Sequence, residues 1–72
     1  MVPRIPPMPY RKVHRILVRH GFFVVRQRGS HIHYRDAAGR RTVVPRHPGD
    51  LDGEFIAMVL EQAGIDPDTV RR

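Results

Sequence analysis

Phe22-Phe23-Val24-Val25-Arg26-Gln27-Arg28-Gly29-Ser30-His31-Ile32-His33-Tyr34-Arg35 is the stretch that decides the fold. Residues 22–28 are rich in strand formers, Gly29-Ser30 supplies turn chemistry, and residues 31–35 continue as a second strand, so the segment predicts a hairpin. Side chains alternate along a strand, which puts Ile32 and Tyr34 on one side and His31, His33 and Arg35 on the other. The apolar pair is expected to face helices. His31 and His33 then lie on the uncovered side among arginines. Imidazole is the side chain whose unperturbed pKa lies near physiological pH, so a histidine behind a Gly-Ser turn in a basic chain suits proton transfer on a phosphate group.

Outward from the hairpin, Asp36-Ala37-Ala38-Gly39 reads as a turn, and residues 40–45 form a third strand. Upstream, Tyr10, Val13, Ile16 and Leu17 recur at helical spacing over residues 10–20, and Gly21 follows as a C-cap. Downstream of a loop at residues 47–53, Phe55, Ile56, Val59, Leu60 and Ala63 fall on one side of a second helix ending at Gly64. Asp66-Pro67 repeats a helix-start signal, so residues 67–71 are expected to add one short turn before a frayed Arg71-Arg72 end. Residues 1–9 hold four of the chain's seven prolines and read as an extended, mobile arm without evident chemistry. The expected fold is α+β: one small αβββα domain over residues 10–72, a three-stranded antiparallel sheet with both helices on one face.

Composition narrows the chemistry. The 72 residues include no cysteine, which excludes disulfides, thiolate metal sites and cysteine nucleophiles and suits a cytoplasmic protein. A chain this short buries only about 60% of its unfolded surface, so a large substrate cavity is not expected. No apolar run approaches a membrane span, and the opening residues lack a signal-peptide core. The net charge is +6, and its distribution is uneven. Asp36 is the only acid before Asp50, while eleven of thirteen Lys/Arg precede that point. Such a split points to a polyanion contacted by one surface and spared by another.

Several pieces appear together in one order: Gly21-Phe22, Arg26-Gln27-Arg28-Gly29-Ser30-His31, Tyr34, Gly39-Arg40, Val43-Val44-Pro45, His47-Pro48-Gly49, and Leu60 with Gln62-Ala63-Gly64-Ile65. In that order and spacing they resemble the HicA-type toxins, small endoribonucleases that cut messenger RNA in toxin-antitoxin pairs. The chain departs from the commonest pattern after His47-Pro48-Gly49, with Asp50 where a lysine is frequent and Glu54-Phe55 in place of Thr-Leu. The resemblance implies a fold like a double-stranded-RNA-binding domain, His31 as catalytic residue, single-stranded mRNA as substrate and a HicB-type antitoxin as partner that covers the His31 face.

Each candidate residue also has a plainer reading. Spacing alone makes His31 a surface strand histidine, and the resemblance reverses that. His33 shares the open face and can supply a second proton-transfer group or contact phosphate. His47 can shape RNA contact or serve a turn. Arg26, Arg28 and Arg35 are best placed to grip phosphates and steady the charge that grows on phosphorus, and Arg46 joins them from the third strand's end. Ser30, next to the histidine, belongs with the RNA-contacting set by position but reads as a turn residue, since no nucleophile relay surrounds it. His31-x-His33 with His47 is a weak metal pattern without a carboxylate or thiolate, so neither metal nor cofactor is expected. Phe22, Phe23 and Tyr34 are expected in the core and His14 and His20 in solvent. A non-catalytic RNA-binding module remains the alternative. The acids Asp50, Asp52 and Glu54, at the start of the second helix where a duplex binder is basic, argue against it.

Overall fold

The structure, a computed structural model, describes residues 5–70 of the chain. The start of the arm (residues 1–4) and the Arg71-Arg72 end lie outside the described residues. Strand β1 (Met8–Pro9) leads into helix α1 (Tyr10–Arg19), followed by strands β2 (Phe23–Arg28), β3 (His31–Arg35) and β4 (Arg41–Pro45). Strand β5 (Asp50–Leu51), helix α2 (Gly53–Gln62) and a single 3-10 turn at Pro67–Thr69 complete the chain. The three-stranded sheet has the order β2-β3-β4, antiparallel throughout. The αβββα order read from the sequence is therefore present.

Both helices end in the same device. The Gly21 N–H donates to the Val18 carbonyl and the Phe22 N–H to that of Leu17, while Gly64 and Ile65 repeat the pattern onto Glu61 and Leu60. This closure needs a left-handed residue, and Gly21 and Gly64 have φ of 88° and 70°. The residue after each glycine, Phe22 or Ile65, is then turned into the core. Helix α2 begins on Asp52, whose carboxylate accepts from the Glu54 and Phe55 N–H groups at 3.0 and 3.4 Å.

The core lies between the helices and the even-numbered side of β3. Ile32, Tyr34 and Val44 from the sheet meet Val13 and Leu17 of α1 and Ile56, Val59 and Leu60 of α2, all under 4% exposed. At roughly 1.5–3 kcal/mol per fully buried apolar side chain, this small cluster is the main favourable term in a thin-cored domain.

Two regions differ from the sequence reading. Residues 5–9 are anchored: Ile5 and Met8 are buried, and Met8 and Pro9 pair with Leu51 and Asp50. The prolines prevent helix but not extended pairing, so apolar side chains between them can still reach the core. The loop at 47–53 accordingly contains β5. His14, expected in solvent alone, is half-buried and hydrogen-bonded. The Tyr34 hydroxyl, on a residue 1% exposed, lies 2.6 Å from His14 Nδ1 and 2.6 Å from the Tyr10 hydroxyl. Tyr10 and His14 stand four residues apart on one helix face, which aims both at the buried hydroxyl. No buried side-chain polar atom is left unpaired among the described residues. Burial, reinforced by the Tyr10 hydroxyl, raises the Tyr34 pKa far above its ordinary value.

Candidate functional site

The register of the sheet builds its open face in three rows. Arg28, His31 and Pro45 lie opposite one another, then Arg26, His33 and Val43, then Phe23, Arg35 and Arg41. Directly paired residues share a face, so Arg26 and Arg28 stand beside the two histidines. A bulge between Val24 and Arg26 makes this possible. Without the extra residue Val25, Phe23 and Arg26 would point to opposite sides. The bulge also explains why Phe23 is 46% exposed, contrary to the expected core position, while Phe22 and Tyr34 are buried as expected. The Arg35 guanidinium lies 5.9 Å from the Phe23 ring centre, a cation-π contact that holds it over the face.

Among these residues His31 is exposed and His33 half-buried. A shallow depression of about 360 Å³ runs between Arg26, His33, Arg35 and Arg41. Arg41 joins the site from β4, opposite Arg35 and on the same side of that strand as Val43 and Pro45. At the turn end of the sheet, the Arg46 N–H donates to the Ser30 carbonyl at 2.6 Å, so Ser30 and Arg46 abut the His31 row. His47 donates from Nδ1 to the Pro48 carbonyl at 2.6 Å, which leaves Nε2 for another partner. A second depression of about 400 Å³ joins Arg46 and His47 to Arg11 at the start of α1. Arg11 lies far from the meander in sequence, and only the packing of the 46–49 loop against α1 reveals it.

Arg40 stands apart from the other arginines. Its Nε donates to the Asp36 carboxylate at 2.8 Å and its N–H to the same carboxylate at 2.8 Å, and the Ala38 N–H adds a third bond. Partial desolvation pushes the Asp36 pKa up, but these donors outweigh it and hold the carboxyl below its ordinary value. Arg40 thus serves the β3–β4 turn. Arg26, Arg28, Arg35 and Arg46 have no carboxylate partner among the described residues, so their charge is available to a ligand. No group of three His, Asp or Glu able to hold a metal ion occurs among the described residues. Nor is any helix there long and apolar enough to cross a membrane.

Fold and site define a small α+β domain with one helix-covered sheet face and one open face bearing histidines among unpaired arginines. The chain belongs to the HicA toxin family, whose model, described as HicA toxin of bacterial toxin-antitoxin, matches residues 10–65. Membership implies a cognate antitoxin partner. No curated protein is similar enough to the chain to match it.

Proposed function

We propose that this protein is the toxin of a toxin-antitoxin pair and an endoribonuclease that cleaves mRNA through His31 without a metal ion. One observation carries the reading: His31 is exposed on an open sheet face, directly opposite Arg28 and one row from Arg26 and His33. In this reading His31 takes the proton from a ribose 2′-hydroxyl as that oxygen attacks the adjacent phosphorus, or gives a proton to the departing 5′-oxygen. Arg28, Arg26 and Arg35 hold the phosphates and offset the extra negative charge of the transition state. Such proton transfer contributes about 10² to 10⁴ in rate. His33 is the candidate for the complementary proton donor or a phosphate contact. Ser30, Arg46 and His47 extend the RNA track beyond the turn. The antitoxin, of HicB type, silences the toxin by covering this face.

Inducible expression in the cytoplasm of a bacterial host tests the reading as a whole. Wild-type protein is expected to arrest growth, and His31→Ala, at equal soluble level, to leave it unaffected. A wild type that accumulates without effect on growth would overturn the toxin reading.

A further inference from the structure

A third concave surface adjoins His31 on the side away from β2. It is a cleft of about 630 Å³ between β4 and α2, within the size range of small-ligand sites. His31 and Pro45 form one lip, Val43 continues it, and Phe55, Met58 and Gln62 form the other. The spacing of these last three sets them on one flank of α2, beside the buried Ile56-Val59-Leu60 stripe. Met58 is 45% exposed, and Phe55 is half-buried with one side packed against the core, so apolar and aromatic surface is left facing the cleft.

The polar groups have a definite arrangement. The buried Thr42 hydroxyl donates to Gln62 Oε1 at 2.9 Å, which fixes the amide and leaves its NH₂ as a free pair of donors. Arg41 adds a cation, and neither acid of α2, Glu54 or Glu61, lines the cleft. An aromatic ring, a thioether, an oriented amide donor and a cation, with no carboxylate, suit a flat, carbonyl-bearing ring on a polyanionic chain.

We propose that this cleft binds one nucleobase of the RNA, stacked against Phe55 and Met58, with a base carbonyl accepting from the Gln62 amide. The proposal takes its ligand class from the nuclease reading. It makes Phe55, Met58 and Gln62 the residues that select the nucleotide next to the phosphate at His31. Uracil, cytosine and guanine carry the carbonyl and adenine does not, so adenine is disfavoured.

Binding of ten-nucleotide single-stranded RNAs of all uridine, all adenosine and all abasic ribose-phosphate tests this, using full-length His31→Ala protein so that nothing is cut. Stacking predicts that oligouridine binds roughly five- to a hundredfold more tightly than the abasic strand. Oligoadenosine is expected to fall between them. Gln62→Met removes the amide and should erase the preference of uridine over adenosine. Phe55→Leu keeps the apolar packing and should shrink the advantage over the abasic strand. Both are checked for native circular dichroism. Equal binding of all three strands, or a base preference that survives both substitutions, would overturn the proposal. Cleavage of a longer labelled RNA by wild-type protein is measured alongside. Base-dependent binding without cleavage would remove the nuclease reading and retain the cleft, whereas cleavage with base-blind binding would do the reverse.

Discussion

Replacing Tyr34 by phenylalanine removes one oxygen from the centre of the core. The ring, 1% exposed, stays where it is, so the change isolates the hydroxyl and its two 2.6 Å partners, Tyr10 and His14. A net hydrogen bond contributes about 0.5–1.5 kcal/mol, and both partners are half-exposed and can turn to water when deserted. The expected loss is therefore about 1–2 kcal/mol, or roughly 4–16 °C in Tm for a domain this small. Urea unfolding should show a lower midpoint with unchanged slope. The effect has a pH signature. Burial raises the folded-state pKa of Tyr34, so the folded form keeps a proton that the unfolded form releases near pH 10. The wild type should hold its Tyr34-linked stability below about pH 10 and lose it above, by up to about 1.4 kcal/mol per pH unit. Tyr34→Phe should lack this alkaline decline. A variant as stable as wild type at pH 7, or one that keeps the full decline, would refute the reasoning.

Gly53→Ala should destabilise by about 1–3 kcal/mol in thermal unfolding, because the added methyl meets the Ile5 carbonyl where the N-terminal segment crosses the start of α2. Asp36→Asn should lower Tm at pH 7, and the deficit should shrink below about pH 4. The carboxylate's lowered folded pKa gives stability that is present above the unfolded value and lost as pH falls through the folded one. Arg28→Gln should weaken RNA binding by a similar factor across sequences and reduce the slope of log K against log salt by about 0.7, the single-strand value for one lost phosphate contact.

The parts of the fold legible in the sequence were those set by local rules. Helix termini were marked by Gly21 and Gly64, strands by their residue types, and the open face by alternation around His31 and His33. What escaped was set by contacts distant in sequence. Met8 pairs with Leu51 across more than forty residues, and nothing near either one announces it. His14 looks like any polar helix residue until Tyr34 brings a buried hydroxyl to it. The bulge at Val25 has no glycine to mark it, so Phe23 was expected in the core although the bulge turns it outward. At the site, the register sets Arg26, Arg28 and Arg35 on the face of His31 and His33, while Arg11 and the α2 side of the cleft become neighbours only through tertiary packing.

The central claim is that His31 performs proton transfer on RNA held by the arginine rows. Its most direct test is cleavage of a labelled mRNA by purified wild-type and His31→Ala protein in excess EDTA, with both shown to be equally folded and to bind the RNA. The account predicts cleavage by wild type and a loss of about a hundredfold or more in the variant. Equal cleavage by both, or none by a folded wild type that binds the RNA, would contradict it.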